Sequence, residues 1–349
     1  MTIRAVIWVS YVGNISQHLS RSRAFNMIPI GTTTKNVPVL AGTDYCTSAG
    51  VCDVQASLIN TAHPAIFFYP YQGWDTINLT ETSAASNYHS LQSELRHNFG
   101  HGLTMQASYT WSHMIDSGSN YGSDPNVDDS NMNRYYTTSS LDRRQVFNVN
   151  YVYELPFLKN ASNHYVKNAF GGWRVSGITS FFSGPPVDFG CSISGLSTGI
   201  GGESRCNALA PIKVSKSTGT HPTYGPMERW YDPGTVGMLS VDQLQANGQA
   251  GMFGYMGRNM LRGPGRNNWD IALHKDFSLP WFNGEHSTIQ FRWETFNTFN
   301  HTQWKGVSTG CSGSTAPGTA CTGSANSSRG FVSSAWDPRI MQFALKYIF

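Results

Sequence analysis

The feature that most constrains this chain is alternation with a period of two residues. Leu103, Met105, Ala107, Tyr109 and Trp111 interleave with Thr104, Gln106, Ser108, Thr110 and Ser112, so one side is wholly apolar and the other polar and small. Successive side chains of an extended strand point to opposite faces, so this run predicts a strand with one greasy face and one wet face. Phe147, Val149, Tyr151, Tyr153 and Leu155 repeat the pattern. So do Trp269, Ile271, Leu273 and Phe277, then Ile289, Phe291 and Trp293, and finally Met341, Phe343, Leu345, Tyr347 and Phe349. Weaker alternation predicts further strands over 3–12, 87–99 and 172–184, the last blurred in phase by Gly177 and the pair Phe181 and Phe182.

Charge decides what the two faces meet. Asp270, Arg292 and Glu294 fall in mid-strand on the polar face, with Gln92, Glu94, Arg96 and Gln290 in the same phase of their strands. The dry core of a β-sandwich holds such groups only at high cost. A water-filled lumen solvates them, while the aromatic-rich face meets lipid. These seven residues are the predicted lumen-facing polar set. Link lengths agree. Short links are expected near 100–101, 156–171 and 280–285, and long ones over 13–86, 116–140, 185–265 and 301–338. Short turns on one side and long loops on the other is the habit of outer-membrane barrels, and a sandwich or propeller has no reason to sort its links this way. The expected fold is therefore all-β: a transmembrane antiparallel up-and-down β-barrel, represented by about eight strands with long extracellular loops.

Composition narrows the function classes. Charged residues make up 13% and aromatics 13%, with 35 glycines and a net charge of +3. That charge is too small to argue for nucleic acid as a partner. No window of about 18 apolar residues marks a transmembrane helix. The start, Met1-Thr2-Ile3-Arg4, lacks the pattern of a signal peptide, so the expected natural N-terminus lies upstream. Six cysteines fall in three local pairs, Cys46 with Cys52, Cys191 with Cys206 and Cys311 with Cys321. Many connectivities are open in principle, and closeness in sequence favours these nearest-neighbour disulfides in an oxidising compartment. Zinc would need tighter spacing and nearby histidines.

Several ordered blocks carry a family resemblance. They are 86–92, Gly102-Leu103-Thr104, 107–112, 171–177, 263–270, Phe296-Asn297-Thr298-Phe299-Asn300-His301 and Asp337-Pro338-Arg339, preceded by Tyr11-Val12-Gly13-Asn14 and His18-Leu19. Together they resemble the TonB-dependent transporter Oar-like β-barrel family, common in acidobacteria and myxobacteria. The resemblance implies a barrel of about 22 strands around a plug, powered through TonB. Residues 1–349 would supply the C-terminal part of that barrel domain, a fragment without plug, signal peptide or carboxypeptidase-regulatory-like domain, and would reach TonB only through missing upstream domains.

The final run ends on Tyr347 and Phe349. With Phe343 and Leu345 it matches the terminal signal read by the barrel-assembly machinery, although aromatics favour any strand. His97 and His101 have the spacing of helical metal ligands but flank a strand turn, which removes that geometry. Asp124, Asn126, Asp128 and Asp129 form an oxygen-rich loop cluster without calcium-loop spacing. No catalytic triad, paired-carboxylate or phosphate-loop motif is present, so no enzyme activity, cofactor or metal is expected. The expected partners are outer-membrane lipid, the assembly machinery and an unknown transported ligand. The expected function is the wall and substrate-contacting loops of a TonB-dependent receptor. The alternative is a passive or adhesive surface protein whose loops bind a partner. A soluble carbohydrate-active β-protein is a more distant third.

Overall fold

A computed structural model describes residues 4–24, 26, 70–71, 73–74, 77–118, 135–158, 161–191, 206–237, 256–279, 287–311 and 327–348. Its framework is a nine-stranded sheet in which the two-residue strand Thr137–Thr138 lies beside the end of β3 and the main path has eight strands in sequential order: β1 (Arg4–Ala24), β2 (Asn78–Gly100), β3 (Leu103–Asp116), β4 (Gln145–Glu154), β5 (Trp173–Phe182), β6 (Arg266–Ser278), β7 (Thr288–Phe296) and β8 (Ile340–Ile348). Every strand pairs antiparallel with the next, which is an up-and-down meander. Among the described residues, β1 and β8 pair along one edge only, so the sheet is an open wall.

Register converts the sequence pattern into two continuous faces. One transverse row runs Leu103, Tyr153, Val175, Leu273, Trp293, Phe343 through six neighbouring strands. The adjacent row runs Thr104, Val152, Ser176, Ala272, Glu294, Gln342. A slip of one residue in any strand would carry its apolar set to the wrong side, so the alternation itself holds the register. The apolar face is not covered by protein: Ile7 is 68% exposed, Phe343 69% and Leu345 74%. A water-soluble domain would bury such a surface, whereas hydrocarbon solvates it.

Aromatic rings gather at two levels of this face. Tyr109, Phe147, Phe181 and Trp269 form a chain with centroid spacings of 6.5, 6.1 and 6.0 Å. At the other level Trp173 meets Phe277 at 6.5 Å and Phe291 at 6.1 Å, both edge-on. Phe181 and Trp173 bound the two levels on β5, about 26 Å apart along the strand. Two aromatic girdles around an apolar band is the arrangement a bilayer imposes on a barrel wall.

The links are sorted by side. β2 and β3 join through His101 (φ 48°) and Gly102 (φ 85°), a two-residue turn of the type that matches strand twist. Gly102 is required there twice over, because a Cβ would also stand 2.9 Å from the Glu154 carbonyl oxygen. The β4–β5 link, on the same side, holds a short helix α1 (His164–Phe170). Residues 25–77, 117–144, 183–265 and 297–339 connect strands on the other side.

The expected bounds of two strands need correction. β1 and β2 run on to Ala24 and back from Asn78, well beyond 3–12 and 87–99, so the long link 13–86 shortens to 25–77. The extra lengths pair with each other through bulges near Ser16, Leu19 and Arg21. Consecutive polar residues such as Arg21, Ser22 and Arg23 break the alternation in these lengths. In β5 the register is regular, and the expected blurring lies in residue type: Ile178 and Phe182 fall on the polar face, Gly177 and Thr179 on the apolar one. Phe181 pairs with Phe147 on the apolar face, Phe182 pairs with Val146 and Arg266 on the polar face, and Gly177 lies against the Tyr151 ring.

Candidate functional site

The polar face is concave. β3 to β7 border a hollow of about 490 Å3 lined by polar residues such as Gln106, Asp270 and Glu294 and by apolar ones such as Val152, Ile178 and Ala272. All seven residues expected in the lumen are hydrogen-bonded to neighbours on this face. Glu94 accepts hydrogen bonds from Arg96 (2.5 Å) and Gln106 (2.7 Å). Glu294 accepts from Arg292 and from Gln342 of the next strand. Gln290 donates to Asp276 at 3.0 Å. Asp270 is anchored by the Asn297 amide at 2.9 Å. Gln92 donates to Ser90 at 3.3 Å. On this face Glu94 and Glu294 are matched by arginines two positions away, while Asp270 and Asp276 are held by neutral amide donors.

The only sizeable hydrophobic core among the described residues is not in the sheet but outside it. Phe189, Cys191, Cys206, Trp230, Tyr231, Val236, Met256, Leu261, Cys311 and Val332 are buried together, all drawn from links 183–265 and 297–339. Four short ribbons frame this cap: 186–187 with 261–262, 207–208 with 236–237, 214–221 with 225–231, and 304–307 with 332–335. The two links interleave through the Trp230 amide on the Gly330 carbonyl (2.6 Å) and the Cys311 amide on the Gly190 carbonyl (2.8 Å). A disulfide joins Cys191 to Cys206. Cys311 is also disulfide-bonded, while Cys46, Cys52 and Cys321 lie outside the described residues, as do Asp124, Asn126, Asp128 and Asp129. Arg329, 1% exposed, donates to the Tyr231 hydroxyl at 3.1 Å. Burial pushes that phenol above its ordinary range, and the guanidinium offsets part of the shift.

Two latches fix the cap to the wall. Arg258 reaches across 142 positions in sequence to the carbonyl and carboxylate of Asp116 at the end of β3, both at 2.9 Å, and to the Tyr135 carbonyl. The second latch centres on Asp142, whose side chain is fully buried. It is paired with Arg262, accepts the Met114 amide at 2.7 Å, and lies 3.3 Å from both His113 and Arg144. Arg144 also contacts His113 Nε2 at 3.2 Å. A guanidinium only donates, so Nε2 accepts and the ring proton sits on Nδ1, directed at Asp142. Burial would raise the Asp142 carboxyl, but these donors and cations outweigh it and hold the pKa below the usual carboxylate range.

Sequence reading did not find Asp142, Arg258, Arg262 or Arg329 as a connected set. The only signal available was the charged triplet Asp142-Arg143-Arg144 just ahead of an apolar strand. In the last strand Phe343, Leu345 and Tyr347 share the apolar face, with Trp293 stacked on Phe343 at 6.0 Å; Phe349 lies outside the described residues.

A family model described as outer membrane beta barrel domain matches residues 2–342. No curated protein and no solved structure matches the chain.

Proposed function

Because the chain belongs to the outer membrane beta barrel domain family, whose members sit in the outer membrane, we propose that it forms wall and outer loops of a TonB-dependent receptor of the Oar-like type. The observation that carries this reading is the pairing of an open-edged wall, polar on one face, with a folded cap latched to the link-side ends of its strands. An open edge exposes unpaired backbone that lipid cannot satisfy, so the wall calls for further strands to close it. A barrel larger than eight strands leaves room for a ligand path, which narrow eight-stranded barrels fill with side chains. On this reading the cap is the first part a ligand arriving from outside meets, and the polar face offers hydroxyl, amide and carboxylate groups for its passage. Energy coupling to TonB would come through parts of the receptor other than these residues.

The competing reading is a passive or adhesive surface protein, favoured by the cap's rigid attachment through Asp142 and Arg258. Cross-linking in living cells, followed by recovery of the chain from the outer membrane, separates the two. The receptor reading expects TonB in the recovered complex and loss of energy-dependent ligand accumulation when the 206–237 segment is deleted. Cell adhesion that depends on that segment, with no TonB recovered, would overturn it.

A further inference from the structure

The short link on the turn side is unusually apolar for a segment that would face water. Within residues 155–172, Phe157 is 50% exposed, Leu158 45%, Tyr165 73% and Phe170 58%. The segment carries two lysines, Lys159 and Lys167, and no Asp or Glu. Its described part, residues 155–158 and 161–172, is well held. Asn163 caps α1 by accepting the amides of Tyr165 (2.9 Å) and Val166 (3.3 Å). Asn168 clamps the end of β6 from both sides, donating to the Ser278 carbonyl at 3.0 Å and accepting the Ser278 amide at 3.1 Å. The Gly171 amide closes back on the Lys167 carbonyl at 2.9 Å. The exposed rings are therefore presented by a fixed scaffold.

The scaffold adjoins the lipid-facing surface. Gly172 leads directly into Trp173, part of the turn-side girdle with Phe277 and Phe291. A Cβ at Gly172 would lie 3.7 Å from the Lys275 ammonium, and Lys275 stands on the apolar face, in register between Trp173 and Phe291. The link thus continues the membrane surface of the wall at the level where hydrocarbon gives way to headgroups.

We propose that residues 155–172 form an interfacial anchor that binds the phospholipid leaflet on the periplasmic side. Phe157, Leu158 and Phe170 enter the boundary between acyl chains and headgroups. Tyr165 sits at headgroup level, as amphipathic rings do. Lys167, with no acidic residue in the link to neutralise it, faces anionic lipid phosphates, the combination that holds amphipathic helices in a membrane interface. Continuity with the barrel's own lipid contact and complementarity of charge select this partner over a periplasmic protein.

The test uses cysteine variants of the full chain, since the described native cysteines are disulfide-bonded. Phe157→Cys, Phe170→Cys and the polar control Ser162→Cys are treated with a membrane-impermeant maleimide in isolated outer-membrane fragments, where both sides are open. The anchor predicts labelling of Ser162→Cys only, with 157 and 170 labelled after detergent extraction. The purified chain is then placed in nanodiscs containing phosphatidylglycerol and no other protein, and protection should return. Labelling of all three positions in native membranes overturns the proposal. So does protection in native membranes that is absent from nanodiscs, which would assign the site to a protein partner. Lys167→Glu should weaken protection in nanodiscs with anionic lipid and leave it unchanged in pure phosphatidylcholine.

Discussion

Asp142 and Arg262, 120 positions apart in sequence, meet in an ion pair that joins the start of β4 to the base of the outer cap. The carboxylate is wholly buried and Arg262 is about one-third exposed, so the pair is screened on one side only. Its pKa lies below the ordinary value, and a carboxyl depressed by folding stabilises the folded form above its unfolded pKa of about 3.9. That stabilisation is lost only as pH falls through the folded value. The cap should stay latched from pH 8 to 5 and loosen in stronger acid. Asp142→Asn should mimic the acid state at pH 7, with a loss of about 1.5–3 kcal/mol for hydrogen bonds to a charged group. Limited proteolysis of outer-membrane preparations reads this directly: new cleavages in 183–265 are expected for Asp142→Asn at pH 7 and for the parent only in acid.

The disulfide between Cys191 and Cys206 closes a loop over a separation of 15 residues. Chain-entropy arguments give such a cross-link about 3 kcal/mol. Replacing both cysteines by serine should destabilise the cap while leaving the wall assembled. The expected result is faster proteolysis of the cap with an unchanged amount of chain in the outer-membrane fraction.

Gly177 is opposed by Tyr151, whose ring occupies the space a side chain would take. A Cβ at position 177 would stand 2.5 Å from the Tyr151 hydroxyl oxygen and 2.8 Å from the Asp270 carbonyl oxygen. The ring can rotate away, but the β6 backbone cannot. Gly177→Val should therefore cost about 1–3 kcal/mol through overpacking and lower the yield of heat-resistant assembled protein on unheated gels. Gly225→Ala, at the tip of a cap ribbon where nothing lies within 4 Å, meets only the strain of its φ of 75°, and the wall should assemble normally.

What was legible in the sequence follows from what each environment demands. Between the girdles, lipid on one side and water on the other impose alternation, so Leu103 to Trp111 and Ile289 to Trp293 revealed both their faces, although the strands run on to Asp116 and Phe296. Link sorting was legible for the same reason, because one side needs only turns. Beyond the membrane that demand vanishes. The outer halves of β1 and β2 pair through polar residues such as Ser16 and Ser22, and nothing in their pattern marked them as strand. The cap was hidden more deeply. Its core joins Phe189, Trp230 and Val332 across links separated by two strands, and no local period records such contacts. The spacing of Cys191 and Cys206 was the one trace of it in the sequence.

The central claim, that one face of the wall meets lipid and the other water, is tested most directly on β6. Leu273 lies midway along the strand between Trp269 in the outer girdle and Phe277 in the inner one, in register with Val175 and Trp293. Its neighbour Ala272 faces the hollow beside Glu294. Arginine at 273 should cost about 2–4 kcal/mol, as at the midplane of a barrel's lipid face. Arginine at 272 can be solvated and meets a carboxylate. Membrane fractionation and heat-modifiability of Leu273→Arg and Ala272→Arg beside the parent give the answer. A depleted, poorly assembled Leu273→Arg with a near-normal Ala272→Arg is the predicted result. Equal tolerance of both, or the reverse order, would contradict it.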